Sequence, residues 1–206
     1  MQHPFDGAVS FYEQTLNHSS VELTANTVRD ELVERCKAGD SLGYQLLYQR
    51  YSKAMYNTSL RIVNNTADAE DVLQEAFLDA FRSLHDFHYR STFGAWLKKI
   101  VINKSINTLR KRRGYTVEID EEREDGVNAI VQEDPIDEAE IQYRVDEVKR
   151  GIQRLPDGYR AVVSLYLLEG YDQEEIAGIL GISHNTVRTQ YVRAKQKLLN
   201  IIKQGV

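Results

Sequence analysis

Apolar residues recur three and four positions apart along almost the whole of this 206-residue chain. In one run they form two adjacent stripes, which predicts a helix from about Ala67 to Leu84 with one broad apolar face. The two stripes consist of Leu73, Phe77 and Phe81, and of Val72, Ala76, Ala80 and Leu84. No stretch sustains the alternation of apolar and polar residues that is typical of a half-buried strand. The sequence therefore predicts an all-α protein.

The same spacing predicts helices on both sides of a polar middle segment. Before that segment, one core face is formed by Trp96, Leu97, Ile100 and Val101. After it, another core face is formed by Val145, Val148, Ile152 and Leu155. Pro156 has no backbone N–H and clashes with a preceding helical turn, so it ends this helix and can open the next one.

The formal net charge of -5 conceals blocks of opposite sign. No acidic residue lies between Phe87 and Arg113, the balance reverses between Gly114 and Glu140, and no acidic residue follows Glu175. Such alternation predicts two basic modules joined by a flexible acidic linker. The predicted parts are an extension at residues 1–26, a first domain at 27–113, a linker at 114–138 and a second domain at 139–206.

Several sequence features restrict the cellular compartment. Cys36 is the only cysteine, so no intrachain disulfide can form, and its apolar neighbours predict a small buried side chain. The N-terminus lacks the basic region and apolar run of a signal peptide. No apolar run reaches membrane length. A soluble cytoplasmic protein without membrane insertion is expected.

The stretch EGYDQEEIAGILGISHNTVRTQYVRAKQKLL predicts a helix-turn-helix. Gly170 can end the preceding helix in a left-handed conformation, and Asp172 with Glu175 matches a capping box. Gly181 permits a tight turn, and Ser183 can cap the final helix. In that helix the predicted core residues are Val187, Tyr191, Ala194 and Leu198.

The other face of the final helix has side chains that can read bases. Asn and Arg can form two hydrogen bonds with a base edge, and Thr and Val can contact a thymine methyl group. The absence of carboxylates avoids repulsion from phosphates. The predicted DNA-binding residues on this face are Asn185, Arg188, Thr189, Val192, Arg193 and Gln196. The alternative is a solvated amphipathic helix, but capping, small residues and the polar face together favour the helix-turn-helix.

A second polar stripe lies on the helix that includes Trp96. It consists of Lys99, Asn103, Asn107 and Arg110, which share one helical face. Basic groups can neutralise backbone phosphates, and an amide can read an exposed base. A melted strand offers unstacked bases, which suit a pocket lined by amides and aromatic rings.

The helix predicted from Ala67 to Leu84 also has an acidic polar side. Its members include Asp68, Asp71, Gln74, Glu75 and Asp79. These carboxylates are strung along the helix with no His or Cys among them, and His85 with His88 lacks a third ligand. No metal site is therefore expected. Without further information, a solvated helix face is the simpler interpretation of this side.

Two parts of the chain resemble conserved regions of bacterial sigma factors. LPDGYRAVVSLYLLEGYDQEEIAGILGISHNTVRTQYVRAKQKL is similar to region 4. DAEDVLQEAFLDAFRSLHDF, followed by STFGAWLKKIVINKSINTLRKRR, is similar to region 2. The sequence between them is too short for the third domain of larger sigma factors, so the chain resembles the extracytoplasmic-function group. The resemblance covers residues 28–113 and 139–203 and leaves residues 1–26 without a counterpart.

The resemblance implies a subunit that binds core RNA polymerase and directs it to promoters, with no cofactor and no catalytic chemistry of its own. The first domain would bind the polymerase clamp through the acidic helix side, and would recognise and melt the minus-ten element. The second domain would read the minus-thirty-five element. Asn103 lies where a base flipped from the minus-ten strand is contacted. An anti-sigma factor is a partner of many members of the group.

Two aromatic residues near the acid-free stretch have alternative interpretations. By the resemblance, Phe87 and the loop after it complete the pocket for the flipped base, so Phe87 joins the predicted minus-ten residues. Equally, Phe87 is a core aromatic that closes the helix end. For Trp96 the core interpretation is favoured.

Two other functions compete with the sigma factor. A stand-alone helix-turn-helix regulator would bind DNA without polymerase, but the basic, acid-free stretch before Arg113 disfavours it. A nucleic-acid-processing enzyme would need a metal cluster, a Gly-rich phosphate loop or a nucleophile with a base, and the sequence has none of these patterns.

Overall fold

The computed structural model describes residues 30–112 and 138–204, which belong to two compact units. Within these ranges all regular secondary structure is helical, so the predicted all-α fold is confirmed. The predicted extension at residues 1–26 and the predicted linker up to residue 137 lie outside the described residues. None of the described helices combines the length and the hydropathy needed to cross a membrane.

The first unit packs three long helices around one core. A short helix, α1 (Glu31–Lys37), precedes α2 (Ser41–Val63), α3 (Thr66–Arg82) and α4 (Phe93–Lys111), and a 3₁₀ turn (Leu84–Asp86) follows α3. Helices α2, α3 and α4 contact one another pairwise. The predicted apolar face of α3 lies in this core, with buried Val72, Leu73, Ala76, Phe77 and Ala80 and with Phe81 at its edge.

Helix α3 begins where its sequence predicts and ends slightly earlier. The Asn65 side chain accepts a hydrogen bond from the Asp68 backbone N–H at 3.0 Å, which caps the helix. The helix ends at Arg82, and the Ser83 hydroxyl donates to the Asp79 carbonyl at 2.7 Å. The chain then tightens into the 3₁₀ turn. Leu84 is still only 1% exposed, so the predicted apolar stripe continues through that turn.

Cys36 lies buried where α1 meets α2, as its apolar neighbours predict. Burial raises the pKa of its thiol above the ordinary value, because an apolar environment disfavours the thiolate. A Cβ atom on Gly43 would lie 3.1 Å from the Cys36 Sγ, so glycine at this position permits the close approach of the two helices.

Within residues 138–204, the second unit has four helices around a separate core. They are α5 (Glu138–Gln153), α6 (Asp157–Val163), α7 (Gln173–Leu180) and α8 (His184–Lys203), and a π-helical turn (Ser164–Leu168) extends α6. The core includes Val148, Ile152 and Leu155 from the stripe predicted before Pro156, together with Ala194, Leu198 and Ile202 of α8. Pro156 is the N-cap of α6, which confirms that it separates two helices.

The chain between α5 and α6 is held by a buried arginine. Arg160 is 3% exposed, and its Nη1 donates to the Leu155 carbonyl at 2.6 Å while its Nη2 binds the Asp157 carboxylate. Among the described residues, Arg160 is the only charged residue that is buried. Because both partners lie within five residues of Arg160, this guanidinium fixes the turn that contains Pro156.

Helix α8 confirms most of its predicted core face. Val187, Ala194 and Leu198 are buried, whereas Tyr191 is half-buried and packs against Tyr166 with ring centroids 4.6 Å apart. The fully enclosed neighbour is Gln190, at 3% exposure. The sequence did not indicate Gln190 as a core residue, because a glutamine on an amphipathic helix usually belongs to the polar face.

Candidate nucleic-acid interfaces

The start of α7 and the turn from α7 to α8 have the hydrogen bonds that the sequence predicts. The Asp172 carboxylate accepts from the Glu175 N–H at 2.8 Å, and the Glu175 carboxylate accepts from the Asp172 N–H at 3.0 Å. Gly170 and Gly181 have φ values of 78° and 65°, so both adopt the left-handed conformation. Ser183 accepts from the Thr186 N–H at 3.1 Å and starts α8. The predicted helix-turn-helix is thus present.

One side of α8, here called the α8 outward face, consists of the six predicted DNA-binding residues. Five of them are exposed: Asn185, Arg188, Thr189, Val192 and Gln196. Arg193 is half-buried at the edge of this face. Val192 is 47% exposed, which is unusual for a large apolar side chain in this structure. The α8 outward face is therefore open to a partner along most of its length.

The Thr189 hydroxyl proton is used in a hydrogen bond within α8. It donates to the Asn185 carbonyl at 2.9 Å, one turn earlier in α8. This bond leaves the Thr189 methyl group as its outward contact. Together with Val192, it gives the α8 outward face an apolar part that suits a thymine methyl group, beside amide and guanidinium groups that suit base edges.

The second polar stripe, here called the α4 stripe, lies on one exposed side of α4. Its members Lys99, Asn103, Asn107 and Arg110 are all exposed. The Arg110 Nη1 donates to the Asn107 Oδ1 at 3.2 Å. This bond orients the Asn107 amide within the stripe, while Asn103 lies one turn away. The stripe therefore combines cations that can neutralise phosphates with an amide that can bind an unstacked base.

Phe87 lies in the core of the first unit. It is 3% exposed, and its ring packs against Tyr89, Phe93 and Trp96 at centroid distances of 4.7, 6.0 and 5.1 Å. Of the two interpretations from sequence, this placement agrees with the core aromatic that closes the helix end. Direct contact between this ring and a base remains a prediction. Trp96 is half-buried against the same core, as favoured.

The acidic side of α3, here called the α3 acidic face, is partly paired with α4. Lys104 binds the Asp79 carboxylate at 2.7 Å and the Glu75 carboxylate at 3.2 Å. The hydrogen bond that Lys104 donates to the Asp79 carboxylate is the main reason why the pKa of Lys104 is raised above its ordinary value. Arg112, just after α4, binds Asp68 through Nε at 3.2 Å. Three of the five predicted residues thus stabilise the packing of α3 on α4.

The remaining two predicted residues of the α3 acidic face are open to solvent. Asp71 and Gln74 are exposed, and Leu78, one turn farther along, is 53% exposed. The sequence pattern did not indicate Leu78 as a functional residue, because Leu78 belongs to neither apolar stripe of α3. Its position among polar residues of an amphipathic helix nevertheless indicates an exposed side chain, because a leucine on that side cannot reach the core. An apolar side chain beside a carboxylate and an amide forms a surface suited to a protein partner.

No group of three or more His, Cys, Asp or Glu side chains comes together as a metal site within residues 30–112 and 138–204. His85 and His88 are both exposed. Three carboxylates of the α3 acidic face, those of Asp68, Glu75 and Asp79, are instead bound by Lys104 and Arg112.

Comparison with known proteins identifies the family. The family model "Sigma-70 region 2" matches residues 47–115, and "Sigma-70, region 4" matches residues 146–198. The chain is 32% identical over 174 residues to the RNA polymerase sigma-H factor of Pseudomonas aeruginosa, covering 82% of this chain and 90% of the other. It belongs to the RNA polymerase sigma factors. The extracytoplasmic-function (ECF) sigma-E factor of Escherichia coli K12 is also 32% identical, over 178 residues that cover 84% of this chain and 93% of that one. The sequence resemblance to the ECF group is confirmed.

Solved structures have the same fold as this ECF sigma factor. The chain has a TM-score of 0.50 with CnrH, solved in complex with the cytosolic domain of CnrY, at 24% identity and with 85% of this chain and 97% of that chain covered. Its TM-score is also 0.50 with the sigma factor RpoE of Bartonella quintana, solved with the anti-sigma factor NepR, at 21% identity. That comparison covers 79% of this chain and 98% of the other.

The matched regions include each candidate surface. Region 2 spans most of α2 with all of α3 and α4, and therefore contains both the α3 acidic face and the α4 stripe. Region 4 spans the helix-turn-helix and the α8 outward face. The chain is thus a sigma factor of transcription initiation whose polar surfaces lie inside the two family regions.

Proposed function

We propose that this sigma factor divides promoter recognition between its two units. In this proposal the second unit reads the duplex minus-thirty-five element, and the first unit binds core RNA polymerase, recognises the minus-ten element and helps to melt it. The observation that carries the proposal is the α8 outward face. Its base-reading side chains are exposed on a helix whose opposite side, including Val187 and Leu198, is buried.

The α8 outward face suits a duplex groove. A helix held by the turn at Gly181 presents Asn185 and Arg188 in its first two turns, where a recognition helix contacts base edges. Arg188 can donate two hydrogen bonds to guanine, and the Thr189 methyl and Val192 can contact thymine. Arg193 and Gln196 extend the same face and can contact the backbone, which supplies affinity without base preference.

The α4 stripe suits a separated strand. Lys99 and Arg110 supply positive charge at its two ends, and Asn103 supplies an exposed amide between them. No acidic residue occurs between Phe87 and Arg113, so this surface does not repel phosphates through its own helix. A base that has left the duplex can be bound by an amide through its Watson–Crick edge, which no base in a duplex exposes.

The outward part of the α3 acidic face suits the polymerase clamp. Asp71 and Gln74 are exposed beside Leu78, so a basic partner surface with an apolar recess would complement all three. Glu75, Asp79 and Asp68 lie nearer to α4, where Lys104 and Arg112 bind them. We therefore assign the centre of the interface to Asp71, Gln74 and Leu78, and its border to the paired carboxylates.

The same proposal covers partners, location and chemistry. Core RNA polymerase and promoter DNA are the partners that the two regions require. The protein acts in the cytoplasm, because RNA polymerase and the chromosome are there. It performs no catalytic step and needs no cofactor. An anti-sigma factor is a further proposed partner, in line with the similarly folded RpoE, which was solved bound to NepR.

Run-off transcription with purified core polymerase tests this function. The full-length protein should be retained by core polymerase in the absence of DNA. It should also allow the polymerase to start at defined sites, whose sequencing reveals the promoter. A stand-alone regulator would bind duplex DNA but would neither be retained by core polymerase nor produce new start sites. That result would replace the proposed function with the regulator.

A further inference from the structure

The short helix α1 holds the loop that joins the 3₁₀ turn to α4. The Lys37 Nζ donates to the Phe87 carbonyl at 2.9 Å, across 50 residues of sequence. The same ammonium lies 4.8 Å from the centroid of the Tyr89 ring and 5.9 Å from that of Phe87. One side chain of α1 therefore contacts the loop through a hydrogen bond and through two aromatic faces.

A second side chain of α1 fixes the same loop at Tyr89. The Tyr89 hydroxyl donates to the Glu34 Oε1 at 2.5 Å, and Glu34 lies 3.7 Å from the Lys37 Nζ. Tyr89 has a φ of 57°, which residues with a side chain seldom adopt. A backbone conformation of this kind persists only where surrounding contacts enforce it. Glu34 and Lys37 supply such contacts.

In the loop held by these contacts, buried and exposed side chains alternate. Phe87 is buried and Tyr89 is half-buried, whereas His88, Arg90 and Ser91 are exposed. At its far end, the Thr92 hydroxyl accepts from the Ala95 N–H at 3.2 Å and starts α4. The loop is therefore tied to α1 at Phe87 and Tyr89 and to α4 at Thr92. Its outward side chains lie just before the helix that carries the α4 stripe.

We propose that Glu34 and Lys37 are positioning residues for minus-ten recognition. By holding Phe87 and Tyr89, they fix the backbone from which His88, Arg90 and Ser91 face the melted strand that Asn103 is proposed to bind. Neither Glu34 nor Lys37 touches DNA in this proposal. The inference rests on the proposed minus-ten role of the first unit, and it assigns to α1 a part in base selection.

The test measures how strongly the protein prefers one minus-ten sequence over another. It does not measure total transcription activity. The reference template is a promoter found by start-site sequencing, and its variants each carry one changed base pair in the minus-ten element. Open-complex formation is followed by permanganate reactivity of melted thymines, using full-length protein with core polymerase. The readout is the ratio of the rate on the reference template to the rate on a variant template. Loss of folded protein lowers both rates equally and leaves that ratio unchanged.

Lys37→Met should reduce this ratio about fivefold, the change expected when one net hydrogen bond no longer fixes the loop. Lys37→Arg keeps a cation that can donate to the Phe87 carbonyl, and should restore most of the ratio. Tyr89→Phe keeps the ring and loses the hydroxyl that binds Glu34, so it should reduce the ratio about twofold. Lys53→Met, at an exposed position of α2, is the matched control and should keep the wild-type ratio.

Each outcome either supports or overturns the positioning role of Glu34 and Lys37. Lowered ratios for Lys37→Met and Tyr89→Phe, with recovery in Lys37→Arg, support the positioning role. If Lys37→Met does not fold, Tyr89→Phe decides alone. Wild-type ratios in these variants, together with slowed melting in Asn103→Ala, overturn the role of α1 and leave the proposed function intact. A wild-type protein without any preference at the minus-ten element overturns the minus-ten function, and this inference with it.

Discussion

Helices α4 and α8 are both long, basic and free of acidic residues, yet their cations have different surroundings. Next to the α4 stripe, Lys104 is bound by two carboxylates of α3, and Arg112 by a third. On the α8 outward face, Arg188 is exposed. The cation that the second unit does bury, Arg160, lies on α6 and not on the recognition helix. Positive charge in a sequence therefore does not reveal which cations DNA can reach.

This difference separates two uses of a basic side chain. The charges of Lys104 and Arg112 are neutralised by carboxylates of α3. These two residues therefore help to position the α4 stripe more than they add to its positive electrostatic potential. Arg188 is instead exposed on α8, where a ligand can reach it. Substitution should accordingly change stability at Arg160 and Lys104, and recognition at Arg188 and on the α3 acidic face.

The largest effect is expected from Arg160→Met. It removes the hydrogen bonds to Leu155 and Asp157 that hold the turn at Pro156, and should lower the free energy of unfolding of the second unit by about 3 kcal/mol. Amide hydrogen exchange of the full-length protein measures this, because protection in α6 to α8 should fall while protection in α2 to α4 stays. Arg188→Met is the control and should change protection little. Equal protection in both variants would contradict the distinction between buried and exposed cations.

Charge reversal on the outward part of the α3 acidic face should weaken binding to core polymerase. Asp71→Arg should cost about 2 kcal/mol of binding free energy, because like charges would then meet at the interface. Equilibrium binding of labelled protein to core polymerase gives the value. Glu70→Arg makes the same change one position earlier, about 100° around the helix, and serves as the control. Similar losses in both would place the interface elsewhere on α3.

Arg188 and Asn103 should fail at different steps. Arg188→Ala should cost about 1.5 kcal/mol in binding to duplex minus-thirty-five DNA and relax base preference at one position. It should matter much less on a template already melted at the minus-ten site. Asn103→Ala should leave duplex minus-thirty-five binding unchanged and slow open-complex formation, because its proposed partner is an unstacked base.

Two measurements on Arg188→Ala and Asn103→Ala separate the two steps. Binding to a duplex minus-thirty-five probe reports the first step, and permanganate reactivity of melted thymines reports the second. Equal impairment of the same step by both variants would contradict the proposed division between α8 and α4.

The smallest effect is expected from Lys104→Met. Its partners Glu75 and Asp79 are about half exposed, so solvent screens both ion pairs and the loss should be about 1 kcal/mol in the first unit. The raised pKa of Lys104 gives the pH dependence its sign. The stabilisation is complete below the ordinary value of 10.5 and declines as the pH rises through the higher pKa of the folded protein.

Hydrogen exchange of α3 and α4 at increasing pH measures the difference between wild type and Lys104→Met. That difference should shrink only above about pH 10.5 and should fall in high salt. A difference that grows with pH would show that Lys104 does not stabilise the first unit through its charge.

Local features of this protein followed from the sequence because their causes act within one helical turn. Asp172 with Glu175 caps α7 and Gly170 is left-handed, as predicted, and Gly181 forms the predicted tight turn. Each of these needs only a side chain and a backbone group three or four residues away, or a residue without a Cβ atom. The apolar stripes likewise followed from the helical period, and with them the all-α fold.

Other features depended on residues that only packing brings together. Lys37 meets Phe87, Glu34 meets Tyr89, and Lys104 meets Asp79, and at least 25 residues of sequence separate the members of each pair. No local pattern predicts such a pair, because its energy appears only once the helices have packed. For the same reason the sequence left Phe87 between core and surface, and could not show that Gln190 is buried or that Leu78 is exposed. The sequence determined which faces could bind, whereas the tertiary structure decided which side chains on them remain available.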